Sequence, residues 1–180
     1  DIDNVYISLD GPEVPIMDGS SKFFIDAIEG AKIIEQNALR EEFFPSEKIS
    51  YKCEETGSIL SIIPDETYKI ETKIDFNTKV LGTQSASIDN INKFKNEISA
   101  ARTFSFLHEL ESLLENGLIK GGDLNNAIVY VDKPLANSNM DRLKKAFNKD
   151  SISVKPNGIL DNLNLHYPNE AARHKLLDVI

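Results

Sequence analysis

The chain has 180 residues, of which 41% are hydrophobic, and a formal net charge of −9. This length and this hydrophobic content allow a core in one domain, or one and a half, and argue against a disordered chain. Acidic side chains outnumber basic ones by 29 to 20, which argues against a nucleic-acid-binding protein because phosphate neutralisation requires clustered cations. No apolar run approaches the roughly 20 residues of a membrane span, so we expect no transmembrane segment.

The first elements predicted along the chain are a strand, a connector and a helix. Val5–Leu9 is mostly apolar and predicts a short strand. Pro12 and Pro15 favour an extended connector. Apolar residues at helical spacing predict a helix from Lys22 to Gln36. The polar stretch that ends in Pro45 is suited to a domain boundary.

Beyond Pro45 the hydrophobic period changes to two, which is typical of antiparallel strands with one buried face. Alternation predicts strands over Ile49–Cys53, Ile59–Ile63 and Tyr68–Phe76, and a weaker strand over Lys79–Ser87. Together these segments predict an antiparallel meander.

Two helices, a strand and a long polar span come next. Ile91–Ala101 and Phe106–Leu114 carry apolar residues at helical spacing. Ala127–Val131 predicts a buried strand. Lys133–Pro168 is polar and irregular, and a connection of this length is unusual inside a compact domain. We therefore expect an insertion or a mobile loop there, with a helical turn or two at Met140–Phe147. The fold class predicted is α+β, an antiparallel sheet with helices packed on one face.

The last twelve residues, Asn169–Ile180, predict a short helix. Asn169 is suited to cap its first N–H groups, and Glu170 suits its positive end. His174 and Asp178 are one turn apart on one face. Imidazole and carboxylate groups are both good zinc ligands. The same spacing also occurs by chance in surface pairs, so the residues by themselves leave both interpretations open.

The single cysteine and the two ends of the chain bear on its context. Because Cys53 is the only cysteine, no intramolecular disulfide can form, which fits a reducing compartment. We therefore expect a cytoplasmic protein. The chain begins at Asp1 without a charged and then apolar leader, and its last residue lies in a helical pattern. We therefore expect it to be an internal fragment of a longer protein.

Four motifs occur in order along the chain. They are PEVPIMDGS at Pro12–Ser20, ISAARTF at Ile98–Phe104, GLIKGG at Gly117–Gly122 and RHKLLD at Arg173–Asp178. Together they closely resemble the zinc-dependent UDP-3-O-acyl-N-acetylglucosamine deacetylases of lipid A biosynthesis. The resemblance covers the whole chain. The span 133–168 is similar to the form that some bacteria fuse to a 3-hydroxyacyl-carrier-protein dehydratase.

This resemblance implies roles for the matching residues. His174 and Asp178 match two of the family's three ligands for Zn²⁺. Thr103 matches a threonine whose hydroxyl contacts the reacting carbonyl oxygen and stabilises the tetrahedral intermediate. Lys175 matches a lysine that contacts substrate, and an ammonium suits the diphosphate of a UDP-sugar. The other substrate-binding matches are Phe104 near the sugar, Phe106, Leu110, Ile119 and Leu124 along a passage for the acyl chain, and Gly122 in the glycine turn.

Ordinary structural roles for several of these residues stay open. Phe106 and Leu110 also fit a helix core, Lys175 a solvated side chain, and Gly122 a simple turn. The family's third zinc ligand lies in a Thr-Val-Glu-His motif whose Glu is the general base for water. This chain has no such motif, and we expect it before Asp1, with a further catalytic histidine beyond Ile180. His108 and His166 match neither position.

The resemblance implies two similar α+β domains, the first one truncated here. Residues 1–43 would be the C-terminal part of the first domain, and residues 44–180 the second, with an insert at about 133–168. The parent protein would hydrolyse the N-acetyl group of UDP-3-O-acyl-glucosamine, and the isolated chain would be inactive or nearly so. One alternative is a non-catalytic module that binds a nucleotide sugar, a lipid or a partner protein. The other is an α+β domain in which His174 and Asp178 have no metal-binding role.

Overall fold

A computed structural model of the chain describes residues 2–110, 124–133, 137–160 and 163–180. Elements are numbered in chain order over these residues. The strands are β1 (Ile49–Lys52), β2 (Ile59–Ile62), β3 (Ile70–Asp75), β4 (Thr83–Ile88), β5 (Phe104–Phe106) and β6 (Ile128–Tyr130). The α-helices are α1 (Lys22–Gly30), α2 (Phe94–Glu97), which a 3₁₀ turn at Ile91–Lys93 precedes, α3 (Asn137–Ala146) and α4 (Glu170–Val179). The α+β class is confirmed.

The strands form three separate pairs. β1 pairs antiparallel with β2, and β3 pairs antiparallel with β4. β5 and β6 pair in parallel. The prediction of one continuous meander is therefore wrong, because β2 and β3 do not pair in the described part of the chain. Pro64 follows β2 and has no N–H group to donate to a neighbouring strand. In the tight turn after it, Asp65 Oδ1 accepts the Thr67 N–H at 3.0 Å.

Burial distinguishes the two antiparallel hairpins. Every residue of β1 and β2 is exposed. In the second hairpin, Ile74 of β3 and Ala86 and Ile88 of β4 are buried. Helix α4 packs against both β3 and β4. The buried face predicted from alternation is thus found in β3 and β4 alone among the four antiparallel strands.

One strand and two helices predicted from the sequence differ from the structure. Residues 5–9 are exposed and are not a strand, because no described segment supplies a hydrogen-bonding neighbour for them. Helix α1 ends at Gly30 and not near Gln36, and Lys32 has the left-handed φ of 64° that terminates it. Residues 91–101 form only the short 3₁₀ turn and α2, because the Ile98 and Ser99 N–H groups both bond to the Phe94 carbonyl.

The segment predicted as a second helix begins as a strand. Phe104–Phe106 is β5, so Phe106 lies in a strand and not on a helix. The parallel ladder with β6 takes its backbone groups, beginning with the Ile128 N–H bonded to the Thr103 carbonyl at 2.9 Å. Residues 107–110 are helical, and the remainder of the predicted helix lies outside the described residues.

Two apolar clusters form the interior. The larger one joins the β3–β4 hairpin, β5, β6 and α4 through buried residues that include Ile88, Ile98, Phe106, Ile128, Ile159 and Leu176. The smaller one contains Leu107, Leu110, Leu124, Val129, Leu143, Ile152 and Leu160.

The span 133–168 contributes to both clusters through Ile159, Leu143 and Ile152. Its predicted irregularity is therefore wrong at the bridges Tyr130–Ile159 and Val154–Leu160, whereas the helical turn or two expected at Met140–Phe147 are confirmed by α3. None of the helices in the described ranges is both long and apolar enough to cross a bilayer.

Replacing Leu176 by alanine should lower the free energy of unfolding by about 2–5 kcal/mol, because a fully buried side chain leaves a cavity. The matched control is Leu39→Ala, at a position 99% exposed, which should change it by less than about 0.5 kcal/mol. Urea unfolding followed by far-UV circular dichroism measures both. Equal effects of the two substitutions would contradict the assigned core.

Candidate metal and substrate site

Three of the four motifs meet at one cleft of about 340 Å³. Pro15, Ile16 and Gly19 of the first motif form one wall. Thr103 of the second motif and His174 of the fourth contribute polar side chains to the lining, as do Ser20 and Ser21. Segments that are far apart in sequence therefore place a hydroxyl and an imidazole beside the same space.

Gly19 allows the first motif to approach Thr103 closely. Its φ is +82°, a backbone conformation that residues with a side chain rarely adopt. A Cβ on Gly19 would lie 1.9 Å from the Asn126 carbonyl oxygen and 3.2 Å from the Thr103 methyl carbon. The Thr103 N–H donates to the Gly19 carbonyl at 2.7 Å. Both the backbone conformation and the available space therefore require glycine here.

His174 is held in one tautomer by a backbone carbonyl. Its Nδ1 lies 3.0 Å from the Ala101 oxygen, and because a carbonyl only accepts, Nδ1 is the donor. In the neutral ring, Nε2 then carries the free lone pair, 3.9 Å from Oδ1 of Asp178. The His174 side chain is 14% exposed and that of Asp178 43%. As the spacing predicted, the two side chains lie together on α4.

The donor set fits part of a zinc site. Metal-binding histidines commonly donate their second ring N–H to a carbonyl or a carboxylate, as His174 does. The second oxygen of Asp178, Oδ2, accepts a hydrogen bond from Lys175 Nζ at 2.8 Å. Over the residues that the structure describes, no group of three or more His, Cys, Asp and Glu side chains could hold a metal ion. His174 and Asp178 thus provide two donors, one fewer than the three protein ligands of a catalytic zinc site.

Lys175 and Phe104 are adjacent. The Lys175 ammonium lies 5.6 Å from the centroid of the Phe104 ring, within the range of a cation–π contact. Phe104 also contacts the rings of Phe76, Phe106 and Tyr130 edge-on. Burial raises the pKa of Tyr130 to about 12, and the negative charge of Glu170 acts in the same direction. The Lys175 ammonium and the Phe104 ring thus present a cation and an aromatic face at the same place.

The residues matched to the acyl-chain passage fall into two groups. Leu110 and Leu124 are buried in the smaller apolar cluster, whereas Phe106 belongs to the larger one. Ile119 and Gly122 lie outside the described residues. The structure therefore brings Leu110 and Leu124 together and places Phe106 nearer to Phe104.

Comparison with known proteins identifies the family. Residues 1–149 match the model of the LpxC family, described as UDP-3-O-acyl N-acetylglycosamine deacetylase. The chain belongs to this family.

Relatives from several bacteria align with the whole chain. The bifunctional enzymes LpxC/FabZ of Bacteroides thetaiotaomicron and Porphyromonas gingivalis are 38% and 39% identical over 99% of the chain and 39% of their own length. The UDP-3-O-acyl-N-acetylglucosamine deacetylase of Nitratidesulfovibrio vulgaris is 34% identical over 100% of the chain and 50% of its own length. The chain thus spans between two fifths and half of the curated relatives that it matches.

Sequence reasoning missed a buried ion pair beside the cleft. Arg102 Nε lies 2.8 Å from Glu170 Oε1, and the two side chains are 6% and 0% exposed. Arg102 also donates from its second nitrogen to Glu170 Oε2 at 3.2 Å and to the Asn164 carbonyl at 2.6 Å. The available signal was an arginine among small residues in ISAARTF and a glutamate followed directly by two alanines. From the sequence alone, Glu170 was assigned only to the helix dipole.

The predicted cap of α4 is also wrong. Asn169 makes no side-chain capping bond. Its side chain donates to the Ser85 carbonyl at 2.7 Å and accepts from Arg173 Nε at 3.0 Å. Asn169 therefore joins the helix to β4 through its side-chain amide, and its Oδ1, the atom that would cap, instead accepts from Arg173 of the same helix.

Replacing Gly19 by alanine should destabilise the chain more than the same change at Gly57. Both glycines have positive φ, but a Cβ on Gly57 meets nothing within 4 Å, so that control should lose only about 1–2 kcal/mol. Gly19→Ala adds a collision with the Asn126 backbone, which overpacking studies place at about 1–3 kcal/mol more. Urea unfolding of both variants gives the difference, and an equal loss at the two positions would contradict the close approach.

Proposed function

We propose that the protein containing this chain is a zinc-dependent amide hydrolase. It removes the N-acetyl group from UDP-3-O-acyl-N-acetylglucosamine in lipid A biosynthesis, and it works in the cytoplasm. The observation that carries the proposal is the arrangement of His174 and Asp178, with a free imidazole Nε2 beside a carboxylate and Thr103 in the same cleft as His174. The reaction proposed is the one in the description of the family to which the chain belongs.

His174 Nε2 and Asp178 Oδ1 would hold Zn²⁺. When bound, the ion supplies Lewis-acid chemistry and an activated water. The Thr103 hydroxyl donates a hydrogen bond to the acetyl oxygen as negative charge develops on it, which is the role of an oxyanion-hole donor. Thr103 is suited to this because its backbone is fixed on both sides, by Gly19 through its N–H and by Ile128 through its carbonyl.

Lys175 and Phe104 would bind the polar end of the substrate. The ammonium attracts the diphosphate, and the aromatic face packs against the sugar. Since Lys175 also bonds to Asp178, substrate binding and the carboxylate are electrostatically linked. Leu110 and Leu124, with Phe106, Ile119 and Gly122, would accommodate the acyl chain, and the burial of Leu110 and Leu124 in one apolar cluster supports this assignment.

The remaining parts of the site would come from chain outside these 180 residues. The relatives named above are at least twice as long as the segment that they share with this chain, and this sequence contains no Thr-Val-Glu-His. We place residues 1–43 at the end of a first α+β domain and residues 44–180 in a second, with an insert at about 133–168. A fused dehydratase is part of the proposal, because two of the relatives are bifunctional LpxC/FabZ enzymes.

In the full-length protein, His174→Gln and Asp178→Asn should remove most of the bound zinc, because each deletes a ligand. Thr103→Val should retain zinc and lower kcat by about 10²–10³-fold, the cost of one oxyanion donor. Elemental analysis and acetate release measure the two quantities. The matched control is His108→Gln, at an exposed histidine that pairs with Asp132 at 2.8 Å, and it should keep full zinc content. Unchanged zinc in both ligand variants would contradict the proposal.

A non-catalytic binding module is the second candidate, and the pair of donors without a third in the described residues favours it. The purified 180-residue chain decides part of this question. We expect no acetate release from it, and we expect activity when the longer protein supplies a general base and a third ligand. A full-length protein that binds the UDP-sugar without releasing acetate would establish the module. Release by the isolated chain at the rate of the full-length protein would overturn the division of the site between segments.

A further inference from the structure

We propose that Glu170 and Arg102 are positioning residues that fix the tautomer of His174 through one peptide group. The peptide in question joins Ala101 to Arg102. Its carbonyl oxygen accepts the His174 Nδ1–H at 3.0 Å, and its N–H donates to Glu170 Oε1 at 3.1 Å. A single planar unit of the loop is therefore bonded at both ends by side chains of α4.

The geometry follows from the helix and from the peptide. Glu170 and His174 are four residues apart, so their side chains project from the same face of α4, one turn apart. The N–H and C=O of a trans peptide point in opposite directions. A peptide that lies along this face can therefore bond to the first residue with one end and to the second with the other. Rotation of the peptide would break both bonds at once.

The charge of Glu170 strengthens the hydrogen bond that the Ala101 carbonyl accepts from His174. Its carboxylate is fully buried and accepts four hydrogen bonds, three from Arg102 and one from the His166 N–H at 2.6 Å. Arg102 compensates that charge with a two-pronged contact, the geometry that makes such pairs strong. A carboxylate at the N–H end polarises the peptide and makes its carbonyl a better acceptor.

The result is a carboxylate–imidazole pair with a peptide placed between the partners. Metal sites often contain the direct version, in which the carboxylate accepts the imidazole N–H itself. Here Glu170 acts on His174 through the Ala101–Arg102 peptide and keeps the proton on Nδ1. The Nε2 lone pair is thereby kept available beside Asp178. The value of this tautomer for zinc rests on the proposed function, but the tautomer exists and can be measured without a metal.

The measurement uses the 180-residue chain labelled with ¹⁵N-histidine, at a pH at which imidazoles are neutral. The chain has three histidines, so His108→Gln and His166→Gln assign the ring signals. Long-range ¹H–¹⁵N spectra distinguish a protonated from an unprotonated ring nitrogen. We expect His174 to have its proton on Nδ1 in the wild type and a mixture of tautomers in Glu170→Gln. The matched control is Asp26→Asn, in the exposed pair with Lys22, which should leave the His174 signals unchanged.

The His108 signals and a second variant distinguish loss of folding from loss of the connection between Glu170 and His174. His108 pairs with Asp132 away from this peptide, and its signals should be unchanged in any folded variant. If Glu170→Gln unfolds because Arg102 is left unpaired, the double variant Arg102→Met with Glu170→Met removes both charges, a change that buried pairs often tolerate. It should show the same mixture of tautomers.

Three results would overturn the proposal. They are a wild-type His174 with its proton on Nε2, an unchanged tautomer in a folded variant, and failure of both variants to fold, which would leave the pair a role in stability alone.

In the full-length protein, Glu170→Gln should weaken zinc binding by about 10–100-fold, the usual effect of removing a partner of a metal-binding histidine. Asp26→Asn should leave it unchanged. Unaltered zinc affinity in Glu170→Gln would remove the functional part of the proposal. This outcome differs from failure of the proposed function, which would appear as unaltered zinc in His174→Gln.

Discussion

The buried ion pair between Arg102 and Glu170 is the interaction on which the arrangement of the cleft depends. Transferring two charges out of water is unfavourable, and it is compensated only when geometry and hydrogen bonding are nearly complete. Both conditions are met, since the Glu170 carboxylate accepts four hydrogen bonds. The pair joins the start of α4 to the loop before β5, and Thr103 and His174 lie on the two segments that it joins. Their relative position is therefore set both by this ion pair, to which neither contributes, and by the bond from His174 to the Ala101 carbonyl.

A second constraint acts from the opposite side of Thr103. The loop at Gly19 approaches so closely that only a residue without Cβ fits. Thr103 is thus held by a backbone bond to Gly19 on one side and by the neighbouring ion pair on the other. Rigid support on two sides is what a hydrogen-bond donor needs if it is to stabilise developing charge without reorganising.

The sequence predicted the local features of the site but not the contacts between segments. Helix α4 and the common face of His174 and Asp178 follow from helical periodicity, a local property. The role of Asn169 was predicted incorrectly because its Oδ1 accepts from the Arg173 side chain instead of capping, while its amide group donates to β4. Glu170 was assigned to the helix dipole because the position of Arg102, 68 residues earlier, is not visible from spacing. Strand segments were located by alternation, but whether β2 continues to β3 depends on pairing, which alternation does not encode.

The exposed β1–β2 hairpin gives the chain an uneven distribution of local stability. A two-stranded ribbon without a covered face is at most marginally stable in water, and both strands of this one are exposed throughout. Its amides should therefore exchange with deuterium through small, frequent openings, while those of β3, β4 and α4 exchange only when the larger apolar cluster separates. The loop at Thr103 and the helix that carries His174 then belong to the slowest-opening part of the molecule, and hydrogen exchange in the hairpin reports nothing about the state of the cleft.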